Sequence, residues 1–300
     1  MAGEEADFAN LSEARVAIVG LGLMGGSLGL ALREGEACRE VIGIARRPET
    51  CADALEMGAV DRATGDLLAG VQDVDVVVLA TPVRIILRQI EQIGPHLRPG
   101  TLLIDFGSTK TEIFRAMGRL PDGVQPLGGH PMCGKESSGL EVAEATLYEN
   151  APFVLVPLPR TDDRALAMGE ALARAIRARP LILPPQRHDR LVAAISHVPY
   201  LMAVALMRTA MTVAERDDLV WSLAASGFRD TTRLAASDVT MILDILLTNR
   251  QAVAEVITRC RRQLDRLDDL LHVEEEDELR AWLQAAREQR RRLYEHELPE

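Results

Sequence analysis

The chain has 300 residues, 47% hydrophobic and 26% charged. This is an ordinary globular composition, with length for two domains of roughly 100–200 residues each. Its formal net charge of -11 gives a surface that repels phosphate backbones, which argues against nucleic-acid binding, while a local Arg or His cluster could still take a small anionic substrate. Cys38, Cys51, Cys133 and Cys260 form no CxxC pair and show no metal spacing, so reduced thiols in a cytoplasmic protein without a metal site are expected.

Residues 1–13 read as a loose tail. They are acidic and lack the apolar stretch of a signal peptide. RVAIVG, Arg15 to Gly20, is a short apolar run ending in glycine, which suits a buried parallel strand, and GLMGGSLGLALREG follows as a glycine turn opening a helix. EVIGIA, from Glu40, predicts a second strand. PETCADALEMG predicts its helix, with Pro48 near the start and Gly58 just past the end. VDVVVLA from Val74 and TLLIDF from Thr101 are further apolar strands, separated by the helix PVRIILRQIEQI, and a helix is expected from about Thr109. FVLVPL from Phe153 and PLILP from Pro180 complete the strands, around an Ala- and Arg-rich helix over 162–179. Alternating strands and helices of this length predict a Rossmann-type, doubly wound parallel sheet over 14–184. From His188 onward only helical periodicity is found, so an all-α C-terminal domain is expected over 185–300. The apolar stretch from Leu191 to Met207 is short for a membrane span and interrupted by Ser196, His197 and Pro199, so no membrane association is expected. Leu279, Trp282, Leu283 and Ala286 fall at helical spacing in an amphipathic final helix.

GLGLMG places Gly20, Gly22 and Gly25 in GxGxxG register between a strand and a helix, the context that gives this motif its meaning. Gly20 permits the turn, Gly22 lets backbone approach a pyrophosphate and Gly25 lets the helix close on the strand; the helix N-terminus then binds phosphate. Leu23 and Met24 within the motif, and Thr81 and Pro82 after the VDVVVLA strand, complete the expected cofactor contacts. An acidic residue about 20 positions beyond the motif would hold the ribose of NAD. That position is Ala45, followed by Arg46 and Arg47. Two guanidinium groups can take a 2′-phosphate bidentately, which favours NADP over NAD. Alternatively both are solvated surface charges and NAD binds through its other contacts.

Ligands gather beyond the carboxyl ends of the strands in open parallel sheets. That edge should carry ATP (80–82), DFGSTK (105–110) and GGHPMCGKESSG (128–139). His130 sits among glycines with Lys135 and Glu136 close by, and with Ser108 it could form an acid–base pair. Taken alone, His130 is more often a structural loop residue than a catalytic one. His197, in an apolar helix, could be a satisfied core histidine, and Arg233 could pair internally with Asp230 or Asp238.

VAIVGLGLMGGSLGLAL, DFGSTK, GGHPMCGKESSG, SHVPYLMAVAL and SGFRDTTRLA, in that order, resemble the prephenate/arogenate (cyclohexadienyl) dehydrogenase family of tyrosine biosynthesis, over Arg15 to about Arg250. The resemblance implies oxidative decarboxylation of prephenate or arogenate, with hydride transfer to a nicotinamide cofactor. It implies that His130 accepts the proton of the substrate's ring hydroxyl, that Ser108 orients His130 and touches the nicotinamide, that His197 positions substrate, and that Arg233 clamps a carboxylate. Glu136 and Asp230 resemble the family's acidic pair at the site mouth, with Asp230 reaching a partner's site across a homodimer formed by the helical domain. Ile242 stands where many relatives carry tryptophan, which alters a pocket wall. Together with Ala45, Arg46 and Arg47 this is closer to NADP-linked arogenate-type members, though prephenate and arogenate stay unseparated. Nothing after about residue 270 resembles a regulatory module, so feedback by tyrosine through an appended domain is not expected. Two alternatives remain: a 3-hydroxyacid-type dehydrogenase on the same scaffold, and a non-catalytic NADP sensor. The first needs a catalytic lysine in the helical domain, whereas the only lysines are Lys110 and Lys135. The second would make His130, His197 and Arg233 accidental.

Overall fold

The computed structural model describes residues 11–272 and 276–294. Its N-terminal part is one eight-stranded sheet of order β3-β2-β1-β4-β5-β6-β7-β8. The strands are β1 (Arg15–Val19), β2 (Glu40–Ile44), β3 (Arg62–Thr64), β4 (Val76–Leu79), β5 (Leu102–Asp105), β6 (Gln125–Pro131), β7 (Pro152–Pro157) and β8 (Arg179–Ile182). The order runs outward in both directions from the β1–β4 junction, which is the switch point where such folds bind dinucleotides.

Strands β1 to β6 are mutually parallel where they pair, but β7 runs antiparallel to β6, with His130 opposite Val154. The expected all-parallel sheet is therefore corrected at its far edge, and only β8 runs parallel to β7. The sequence reading missed two strands. Strand β3 has three residues without an apolar run, and β6 opens on Gln125-Pro126 and carries two glycines.

The central strands are apolar along their interiors, with Arg15 and Asp105 only at strand ends, because both faces are covered. Val16, Ile18, Val76, Val78, Leu102 and Ile104 face one core, shared with Leu28 and Leu32 of α1 (Leu23–Glu34). Ala54 of α2 (Pro48–Glu56) and Leu172 of α6 (Asp163–Ala175) complete that layer. Ala17, Val19, Val77, Leu79 and Leu103 face the other core, against α4 (Val83–Ile93) and α5 (Thr111–Met117). The short α3 (Leu67–Gly70) is capped by Asp66, whose side chain accepts from Leu68 N and Ala69 N.

Among the described residues no strand follows β8. Helix α7 (Pro185–Val192) runs through a π-helical turn over Ala193–His197 into α8 (Val198–Ala214). Pro199 lacks an N–H, so the Ile195 carbonyl cannot receive its α-helical bond there, and the widened turn accommodates the proline ring. The continuous helical run Pro185–Ala214 spans 30 residues and contains an 18-residue window of mean hydropathy 1.6, long and apolar enough by length and composition to cross a membrane. That corrects the expectation of a stretch too short for a span, although His188, Asp189 and His197 on it are buried within the fold. Short helices α9 (Leu219–Ser222) and α10 (Ser226–Thr232) lead to α11 (Val239–Thr248), which is capped by Asp238 accepting from Met241 N at 2.7 Å.

The chain divides into two compact units, Met1–Arg250 and Gln251–Glu300. This division falls later than the change from mixed to helical structure at residue 185, because α7 packs on α5 and α11 packs on α4. The second unit consists of α12 (Arg250–His272) and α13 (Glu276–Leu293), with Arg266 bonded to Glu278.

Candidate active site

At the β1–β4 junction the motif glycines have separate steric reasons. Gly20 has φ +102°, and a Cβ there would lie 2.7 Å from Thr81 Cγ2. A Cβ on Gly25 would lie 1.9 Å from the Gly20 carbonyl oxygen, so α1 rests directly on the turn. Gly22 faces open space, and no side chain caps α1. The helix start is thus left free for a group larger than a methyl, which fits a pyrophosphate. The backbone carbonyl of Met24 accepts from the Tyr148 hydroxyl, which pins the start of α1, and Leu23 opens the helix beside it. Thr81 donates to Gln89 at 2.6 Å, and Pro82 forms the N-terminal boundary of α4. Arg46 and Arg47 are exposed at the end of β2.

Strand β5 ends in Asp105, which is fully buried and pairs with buried Lys110. Lys110 also donates to the Gly129 carbonyl at 2.6 Å, while Asp105 accepts from Gly107 N at 2.8 Å and Gly129 N at 3.2 Å. The ion pair therefore ties the end of β5 to β6. Gly129 must be glycine, because a Cβ would meet the Asp105 carbonyl oxygen at 2.5 Å. Burial pushes Lys110 down and Asp105 up, each toward neutrality, against their mutual attraction.

The next residue on β6 is His130, half-buried. Its Nδ1 lies 2.8 Å from Nε2 of His188, and His188 Nδ1 lies 2.9 Å from Oδ1 of Asp189. The two imidazoles meet edge to face, 5.1 Å between ring centres. Asp189 is anchored by Lys110 N at 2.7 Å and Thr111 N at 2.8 Å, ahead of and at the start of α5. Burial opposes its charge, but the bonds from His188, Thr111 and Lys110 prevail and hold its carboxyl below the usual range. Burial above all, with lesser contributions from neighbouring His188, Lys110 and His197, pushes His130 well below its ordinary value. Burial likewise lowers His188, against the pull of Asp189.

His197 lies in the π turn and is buried. Its Nδ1 is 3.2 Å from Asn249 Nδ2, which also donates to the Asp189 carbonyl at 2.8 Å. Burial lowers His197 to about 4. Asn249 ends α11, and that helix is held by two contacts: Asp244 accepts from Arg84 N at 3.2 Å, and Thr248 meets Thr109 at 2.8 Å. Arg233, in a 3₁₀ turn after α10, is ion-paired with Glu136 from the loop after β6. Asp230 faces Arg229 at 3.4 Å.

His130 and His197 thus join one hydrogen-bonded chain, and Glu136 meets Arg233. The pairing of Arg233 with Asp230 or Asp238 does not form. Ser108 is partly exposed next to the Asp105–Lys110 hairpin, but the ring partner of His130 Nδ1 is His188 and not Ser108. Sequence reasoning missed His188, Asp189, Asn249 and the Asp105–Lys110 pair. The available signal was His188-Asp189, adjacent polar residues at the head of an apolar helix, where burial obliges both to find partners.

Two family models match the chain: "Prephenate dehydrogenase, nucleotide-binding domain" over 28–181 and "Prephenate dehydrogenase, dimerization domain" over 184–285. The prephenate dehydrogenase of Bacillus subtilis is 32% identical over 277 residues, covering 92% of this chain and 75% of that protein. Among solved structures, prephenate dehydrogenase from Aquifex aeolicus in complex with hydroxyphenyl propionate and NAD+ is 29% identical with a TM-score of 0.88, covering 94% of this chain and 99% of that one. Synechocystis arogenate dehydrogenase is 33% identical with a TM-score of 0.82, covering 93% and 99%.

Proposed function

The chain belongs to the prephenate dehydrogenase family, and on that premise we propose that it oxidatively decarboxylates prephenate or arogenate, with hydride transfer to a nicotinamide cofactor. The observation that carries this reading is His130, a neutral imidazole near the carboxyl end of β6, three strands along the sheet from the glycine turn after β1, backed by a buried Asp189–His188 pair.

The motif glycines, Leu23, Met24, Thr81, Pro82 and Ser108 would hold the dinucleotide, whose nicotinamide supplies the hydride acceptor. His130 takes the hydroxyl proton as the carbinol carbon gives up its hydride, which leaves a dienone. The ring carboxylate then departs as carbon dioxide, its bonding pair moves through the ring to the oxygen, and that oxygen recovers the proton as a phenol. Aromatisation makes the sequence downhill, so the protein's task is alignment and proton handling. Arg233 would clamp a substrate carboxylate after exchanging it for Glu136, and His197 would donate to the bound substrate. Glu136 and Asp230 would form the acidic rim, with Asp230 directed at a partner's site.

Residues 14–184 would bind the dinucleotide, and 185–300 would bind substrate and form the homodimer. The match to a dimerization-domain model over 184–285 supports the homodimer, as do the exposed apolar side chains Ile195, Leu219, Leu223 and Val239, each more than 60% exposed. Exposed Arg46 and Arg47, with no carboxylate at the end of β2, support NADP over NAD.

The test is an initial-rate assay of prephenate and arogenate, each with NAD and with NADP. Turnover with either substrate, faster with NADP, is the expected result. A folded protein that binds dinucleotide yet turns over neither substrate would overturn the reading.

A further inference from the structure

We propose that Asp189, His188 and Asn249 are positioning residues that fix opposite tautomers on His130 and His197, making one a proton acceptor and the other a donor at Nε2. Both carboxylate oxygens of Asp189 accept backbone N–H groups, Oδ1 from Lys110 and Oδ2 from Thr111, so it stands as an acceptor-only carboxylate. The atom 2.9 Å from its Oδ1, His188 Nδ1, must therefore carry hydrogen. His188 is 1% exposed and shares its surroundings with the Lys110 ammonium, which opposes a second proton. A singly protonated His188 has a lone pair at Nε2, and the only way to make the 2.8 Å contact a hydrogen bond is for His130 Nδ1 to donate. His130 is thereby left with an unprotonated Nε2.

The same logic gives His197 the other tautomer. Asn249 Nδ2 is identified as the amide nitrogen because it faces the Asp189 carbonyl at 2.8 Å, where the amide oxygen would be repelled. It then donates to His197 Nδ1 as well, at 3.2 Å. A neutral His197 keeps its proton on Nε2. The charged and titratable groups around these rings are Asp189, Asp105 and Lys110, together with the three histidines themselves. A base needs the first tautomer, and a donor to a substrate carboxylate or carbonyl needs the second. Neither is guaranteed by a free imidazole, so the buried scaffold supplies what the rings lack.

The roles in turnover rest on the proposed dehydrogenase reading, but the tautomers do not, and the experiment separates them. Long-range proton–nitrogen correlation spectra of the full-length ¹⁵N-labelled protein, assigned with His130→Asn and His197→Asn, are expected to show His130 protonated at Nδ1 and His197 at Nε2. In His188→Leu, His130 is expected to move its proton to Nε2. Turnover should then fall roughly 10²–10³-fold, the scale of a lost general base, with KM and dinucleotide affinity changed less than about threefold. His188→Gln, whose Oε1 can accept from His130 Nδ1, should recover at least about tenfold of that loss. Wild-type spectra with His130 protonated at Nε2 would overturn the proposal even if no variant folds. Turnover of His188→Leu within about threefold of the parent, or no rescue by glutamine, would also overturn it. A wild type inactive on both substrates would remove the dehydrogenase reading alone and leave the spectra to decide the tautomers.

Discussion

Lys110→Met tests the buried pair that carries the site. Methionine nearly matches the lysine stem in volume but removes the ammonium. Asp105, fully buried, would keep only the N–H groups of Gly107 and Gly129, and the Gly129 carbonyl would lose its donor. Breaking one side of a buried pair costs about 3–5 kcal/mol, because the remaining charge is uncompensated. For a unit of this size a kilocalorie moves the midpoint by roughly 2–4 °C, so thermal unfolding should drop by roughly 6–20 °C. In the variant Asp105 has a raised folded pKa, so its folded form binds the extra proton. The deficit should therefore narrow as pH falls toward 4. Adding Asp105→Asn should restore part of the loss by removing the stranded charge. A Lys110→Met midpoint within about 2 °C of the parent at neutral pH would refute the reasoning, since the pair would then hold nothing that packing does not.

Three further outcomes are expected. Gly22→Ala should leave thermal unfolding within about 1 °C, because its Cβ meets nothing in the fold, yet weaken dinucleotide affinity at least about tenfold in a titration; Gly25→Ala, with a Cβ 1.9 Å from the Gly20 oxygen, should lose both stability and binding. Arg46→Glu with Arg47→Glu should lower the NADP-to-NAD ratio of kcat/KM by at least about tenfold, and an unchanged ratio would show both arginines to be solvated bystanders. His197, lowered to about 4 by burial, has a folded pKa below its unfolded value of 6.5. Its stabilising neutral state is thus lost as pH falls from 6.5 toward 4, costing about 3 kcal/mol, and denaturant titrations across that range should show a shallower decline in His197→Asn.

The sheet and its glycine turn were legible in the order of amino acids alone. Strands β1, β4 and β5 are short apolar runs because both sheet faces are buried, and Gly20 and Gly25 announce the turn because only glycine tolerates that backbone and that packing, with Gly22 between them leaving the helix start open. These are local constraints, readable at fixed spacing. Residue types in ordered segments also pointed to His130, His197 and Arg233. What those residues touch depends on contacts made across the fold. His130 and His188 are 58 positions apart, Asp189 and Asn249 are 60 apart, and Glu136 and Arg233 are 97 apart. Pairings at such separations leave no periodicity, since they arise when the start of α7 meets α5 and α11 docks on α4. The antiparallel turn of β7 was hidden for the same reason, because an apolar strand buried on both faces reads alike in either direction. Lys110 carries the clearest case: by type it belongs on a surface, and only the fold shows its ammonium enclosed with Asp105 beneath the catalytic edge of the sheet.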